Sequence, residues 1–156
     1  SASHFSPVSV VAVVGKDFPQ EHVATFQSRG IDTDGLEAAE GRTFRWRGEY
    51  MAELGHAHTH ETQLNVFADF HPKLSDAQRR MPYVFLANID PDLQLEVLSQ
   101  MKRPTLTLSD TMNYWIARKP DRVFEVLRRV DVALLNEEEA RALAGETHLA
   151  KAADKR

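Results

Sequence analysis

A chain of 156 residues, 42% hydrophobic and 27% charged, is long enough to bury a core and ordinary in composition for a globular protein. It contains no cysteine, which excludes disulfides and thiol catalysis and fits a cytoplasmic location, and no run reads as a membrane span or signal peptide. A formal net charge of -4 offers no basic field to a nucleic acid.

In chain order, Ser1-Ala-Ser-His-Phe5 lacks an initiator Met and reads as the tail of a helix. The apolar run 8–14 ends in Gly15 and Asp17 and predicts a strand buried on both faces. Asp17 and Pro19 then open a predicted helix carrying Val23 and Phe26, and Gly30 ends it. Residues 41–70 break this rhythm. In Thr43-Phe-Arg-Trp-Arg-Gly-Glu-Tyr50, alternation puts Phe44 and Trp46 on one side and Thr43, Arg45 and Arg47 on the other, and 63–70 is a second β-prone stretch. Together they predict an inserted β-ribbon, placed to act as a lid.

The run 83–87 predicts a strand ending at Asn88, after which Asp90 and Pro91 start a helix with Leu95, Leu98 and Met101 on one face and Pro104 beyond it. Residues 105–109 alternate into Asp110 and predict a strand with one less buried face. A helix over 120–129 carries the stripe Val123, Phe124, Val126, Leu127 and Val130, with Arg128 and Arg129 at its negative end. The run 132–135 predicts a strand into Asn136, and a helix over 137–144 stops at Gly145. The tail 150–156 continues a helical pattern with no C-cap, so both ends read as cut from a longer protein. Strands alternating with helices imply βαβ units, a parallel sheet and a ligand at its carboxyl edge.

Each of the four runs delivers a polar residue to that edge. Asn136-Glu-Glu-Glu139 opens a helix with three carboxylates, hard oxygen donors suited to Mg2+ and its waters. The same residues also satisfy a capping box, with Asn136 at the N-cap and Glu139 three positions on. Asp110 reads either as a second holder of the metal or as the N-cap of the following helix, and Asn88 either as a substrate contact or as a chain turn. His56, His58 and His60 would share a strand face, a thinkable zinc site or an exposed turn. Arg42, Arg45 and Arg47 could meet an anion or simply face solvent. No G-x-x-x-x-G-K-[ST], G-x-G-x-x-G or G-x-S-x-G motif occurs.

Taken in order, Val13-Val-Gly-Lys-Asp17, Arg29-Gly-Ile-Asp-Thr-Asp-Gly-Leu36, Thr43, Asp110-Thr-Met-Asn-Tyr-Trp115 and Val130-Asp-Val-Ala-Leu-Leu-Asn-Glu-Glu-Glu-Ala140 with Leu143 and Gly145 resemble the PfkB (ribokinase-like) family of carbohydrate and nucleoside kinases. The resemblance implies a three-layer α/β/α fold with a mostly parallel central sheet, residues 1–156 being a partial domain and 41–70 a small β lid. It implies Mg2+-dependent transfer of the ATP γ-phosphoryl group to a hydroxyl of a sugar or nucleoside. Asn136 and Glu139 fall on the family's N-x-x-E motif near Mg2+, and Asp110 on a strand-end acid facing the same region. Asn88, Thr43, Arg45, Arg47 and Tyr50 fall on substrate-binding and lid positions. The family's Gly-Gly motif would precede Ser1, and its Gly-x-Gly-Asp segment with the catalytic base would follow Arg156, so these residues alone are expected to be inactive. Phe18-Pro19 also departs from the more usual Phe-Gly. Two further readings are a non-catalytic small-molecule-binding module and a homodimer formed by edge-to-edge pairing of ribbons.

Overall fold

The computed structural model describes residues 2–50 and 57–146, and these fall into two compact units, one ending at Lys73 and the other beginning at Leu74. In the first, β1 (Val8–Gly15), α1 (Gln20–Ser28) and β2 (Ile31–Ala39) form a βαβ unit whose two strands pair in parallel. β2 has no strand signal of its own. Asp32, Asp34 and Gly35 are poor strand formers, and it is the open edge of β1 that supplies partners for their backbone.

Three expectations need correction here. Only Val13 and Gly15 of β1 are buried, because its strand neighbours among the described residues number one, not two. Asp17 does not cap α1: Pro19 occupies the N-cap without a side-chain bond, and Asp17 is drawn to Thr43 instead. The ribbon pairs β3 (Arg45–Tyr50) antiparallel with β4 (Ala57–Gln63), so the second strand lies before 63–70. A single 3-10 turn, Asn65–Phe67, follows it and closes the chain back onto the ribbon's root.

In the second unit β5 (Tyr83–Leu86), β6 (Leu106–Asp110) and β7 (Val132–Leu134) form a parallel sheet in the order β5-β6-β7. The connecting helices are α2 (Pro91–Gln100), α3 (Asn113–Arg118) and α4 (Pro120–Leu127), and α5 (Glu137–Ala144) follows β7. Leu86, Leu95 and Val126, flanked by Val84, Val97, Leu98 and Val130, make one core cluster between sheet and helices. Trp115, Ile116 and Val123 make another, with Leu143 of α5 against it. Val123 and Val126 carry the α4 stripe at 2% and 1% exposure, while Phe124 turns outward.

Alternating β6 has the one less buried face expected of it, with Thr107 and Ser109 buried on the other. The apolar strands expected to be buried on both faces are not: Tyr83 is 65% and Phe85 58% exposed, and all of β7 is open. Position in the sheet outweighs strand composition, because a central strand is shielded by a neighbour on each side.

Asp131 locks the start of β7 onto β6. Its carboxylate accepts the Thr107 backbone N–H at 2.7 Å and the Thr107 hydroxyl at 2.8 Å, and its own N–H donates back to the Thr107 carbonyl at 3.0 Å. The Thr107 N–H, followed by the hydroxyl, holds the Asp131 carboxyl below its ordinary value of 3.8. A depressed carboxyl gives stability that is present above 3.8 and lost as pH falls through the lower folded value. Asp131→Asn is therefore expected to flatten the acid limb of a urea-midpoint profile taken below that pH. A limb as steep as the parent's would contradict the role.

Ser1, His56 and the tail 150–156 lie outside the described residues. Among those described, no helix is long and apolar enough to cross a membrane.

Candidate active site

Parallel strands in register end along one line. Leu86 pairs with Ser109 and Ser109 with Ala133, while Asp110 is level with Leu134. Asn88 just beyond β5, Asp110 at the tip of β6 and Asn136 just beyond β7 therefore share the carboxyl edge of this sheet. Asn88 sits exposed in the bend before α2 and leaves the capping to Asp90, which accepts from the Asp92 N–H at 3.0 Å. Lys119 Nζ lies 2.8 and 2.7 Å from the two Asp90 oxygens and 2.6 Å from Asp92, tying the start of α4 to the start of α2.

Asp110 is not a helix cap. α3 begins at Asn113 with Met112 in the N-cap position and no side-chain bond there, and Asp110 Oδ1 accepts the neighbouring Thr111 N–H at 2.9 Å.

At α5 the capping alternative is present in full. The Glu139 N–H donates to Asn136 Oδ1 at 2.9 Å and the Asn136 N–H donates to Glu139 Oε2 at 3.0 Å, a complete capping box, and Gly145 ends the helix at φ 59°. A cap does not require burial, yet Glu139 is only 6% exposed. Burial lifts its carboxyl above the usual range, the Asn136 N–H partly offsets this, and the negative charge of Asp110 pushes it further up. Asp110 and Glu139 are thus close enough to repel.

Asp110, Asn136 and Glu139 offer hard oxygen atoms at one sheet edge, and a divalent cation would offset the charge that Asp110 imposes on Glu139. Among the described residues no three His, Asp or Glu side chains gather into a full metal cage, so a cation here would draw its remaining ligands from water or a bound phosphate. The donor set fits Mg2+ held mainly through its waters.

The sequence gives no hint of Gln94. It lies in the first turn of α2, 2% exposed, and its side-chain amide donates to the carbonyls of Ala87 and Asp110 at 2.9 Å each, with a longer 3.5 Å approach to Leu86. A glutamine inside an amphipathic stretch carries no periodic signal, and only the two strand ends it bonds show what it is for.

The ribbon residues lie in the first unit. Thr43 gives its N–H and its hydroxyl to Asp17 Oδ1, 2.7 Å each, while the hydroxyl accepts the Gly15 N–H at 3.0 Å and the carbonyl accepts from Asn65 Nδ2 at 2.9 Å. The Thr43 N–H, then its hydroxyl, holds the Asp17 carboxyl below the usual range. The Thr43 hydroxyl is therefore engaged at the root of the ribbon. Arg45 reaches within 3.8 Å of Asp17 but is largely exposed, as is Arg47. Tyr50 ends β3, and its side chain lies outside the described residues. Phe44 packs toward Phe67 of the 3-10 turn with ring centroids 5.7 Å apart, yet it and Trp46 stay exposed and form no buried ribbon core.

His60 lies 3.4 Å from Glu49, and the His58 side chain, like His56, is outside what is described. A depression of about 460 Å³ in this unit is lined by Val14, Gly15, Phe18, Val23 and Leu36 among others.

No family model matches the chain, and no curated protein is similar to it in sequence. Solved structures are similar. A nucleoside kinase from Methanocaldococcus jannaschii, an archaeal member of the ribokinase family, matches with a TM-score of 0.71 at 14% identity over 92% of this chain and 48% of that one. The chain has the ribokinase-like fold. A ribokinase from Thermotoga maritima shares this ribokinase-like fold at a TM-score of 0.67 and 21% identity, over 94% of this chain and 48% of that one. An E. coli protein provisionally named ribokinase II, solved in complex with ATP and Mg2+, shares it at 0.75 and 12% identity, over 98% and 54%. The chain spans about half the length of the ribokinase-like structures it matches.

Proposed function

We propose that this chain is part of a kinase that transfers the γ-phosphoryl group of ATP to a hydroxyl of a sugar or nucleoside with the help of Mg2+. The observation that carries the reading is the presence of Asp110 and of buried, Asn136-held Glu139 at the carboxyl edge of a parallel sheet in a ribokinase-like fold. In such a transfer the acceptor oxygen bonds to the γ-phosphorus, the bond from that phosphorus to the β–γ bridging oxygen breaks, and ADP leaves with the electron pair. The acceptor's proton passes to a general base.

Mg2+ supplies charge neutralisation on the phosphates when bound. Asp110 and Glu139 hold that ion or its waters, and Asn136 fixes the Glu139 rotamer through the capping box. Asn88 offers an amide to a hydroxylated substrate. In the other unit, Thr43 anchors the root of the ribbon that carries Arg45 and Arg47.

Glu139→Gln in the full-length protein separates cap from charge. Glutamine still accepts the Asn136 N–H, so the capping box survives, while the buried charge facing Asp110 is gone. The Mg2+ concentration for half-maximal phosphorylation is expected to rise roughly 10- to 100-fold. Thermal stability is expected to hold or increase slightly. An unchanged Mg2+ requirement would overturn the metal role.

A further inference from the structure

Where the ladder between β5 and β6 stops, two strand-end carbonyls need partners. The paired register closes at Leu86 and Ser109, and the next carbonyls, of Ala87 and Asp110, lie one step beyond it. A carboxamide nitrogen carries two hydrogens, and Gln94 directs its nitrogen at both carbonyls, 2.9 Å from each.

The reach of that side chain is itself fixed. Asp90 caps α2, its carbonyl accepts the Gln94 backbone N–H at 3.1 Å, and Lys119 grips the Asp90 carboxylate. The bond to Ala87 adjoins Asn88, and the bond to Asp110 is made to the residue that ends β6, level with Leu134 of β7.

We infer that Gln94 is a positioning residue: its amide clasps the carboxyl ends of β5 and β6 and so sets where Asn88 and Asp110 present their side chains. Gln94 touches neither ion nor substrate in this scheme and acts through Asp110. The catalytic consequence rests on the kinase reading above, whereas the clasp rests on geometry alone. An ordinary packing role would cost stability and leave the orientation of Asp110 untouched.

The test is made in the full-length protein with Gln94→Leu, and with Gln94→Asn as the milder variant, whose shorter arm retains the amide but cannot span both carbonyls. Val126→Ala, from the core cluster beside the same helix, serves as a control for lost stability. The first readout is hydrogen-exchange protection of the Thr111 amide, which donates to Asp110 Oδ1. The second is the Mg2+ concentration for half-maximal activity.

Both Gln94 variants are expected to lower Thr111 protection roughly tenfold beyond the control and to raise the Mg2+ requirement roughly tenfold. Thr111 protection matching the control would overturn the inference. Lost protection with an unchanged Mg2+ requirement would uphold the clasp and refute the metal role of Asp110 instead. If the leucine variant does not fold, the asparagine variant decides by the same readouts.

Discussion

Gly15→Ala is expected to destabilise the first unit by about 3 kcal/mol, at the upper end of what overpacking costs, because the added carbon meets backbone on every side. A Cβ at Gly15 would lie 2.4 Å from the Arg42 carbonyl carbon, 2.4 Å from the Thr43 nitrogen and 2.5 Å from the Gly41 oxygen. None of these is a side-chain tip that can swing away. The segment 41–43 is pinned by Lys16 N–H to Gly41 O at 3.1 Å, Val66 N–H to Arg42 O at 3.1 Å, and the four bonds of Thr43 to Gly15, Asp17 and Asn65.

To admit a methyl group the ribbon's root must shift, and each bond that breaks removes about 1 kcal/mol. The urea midpoint, together with hydrogen exchange at the Lys16 and Thr43 amides, reads the effect. A midpoint and protection equal to the parent's would show that β1 and the ribbon do not approach so closely.

Gln94→Glu is expected to cost roughly 3–5 kcal/mol at neutral pH, the size seen when a buried charge is left without a partner. The two side chains have nearly the same shape, so packing is preserved and only the chemistry changes. At 2% exposure the introduced carboxylate would face the carbonyl oxygens of Ala87 and Asp110 with no donor between them. The charged form is disfavoured in the fold, so its folded pKa lies above the unfolded one.

Stability is accordingly intact below the unfolded pKa and falls as pH rises through the folded value. The protonated acid keeps one O–H donor and restores one of the two bonds. Urea midpoints measured from about pH 8 down to about pH 5 should therefore converge on the parent's as pH falls. A constant gap across that range would mean that the side chain had turned to solvent, and the clasp would fail with it.

Several elements were legible residue by residue. Asp90-Pro91 starts α2 and Asn136 to Glu139 opens α5 as expected, since an N-cap oxygen and an N1 proline act on the nearest turn alone. The polar terminators of the strands were legible as well, because strand ends follow from short apolar runs. Other assignments failed for lack of a local cause. β2 is a strand because β1 lies beside it, and Asp17 leaves the helix start because Thr43, far along the chain, offers it two donors. The second ribbon strand fell earlier than its β propensity suggested, since pairing with β3 decides register and propensity contributes little.

The amino-acid sequence by itself determined the strands and helices other than β2, the caps of α2 and α5 and the acids at the strand ends, all of which depend on neighbours within a turn or two. Tertiary structure decided the rest. Whether Glu139 is a plain cap or a buried carboxylate beside Asp110 depends on three strands ending in register, and so does the use of Gln94. Burial and charge repulsion act through space between residues far apart in the chain, and no local pattern encodes them.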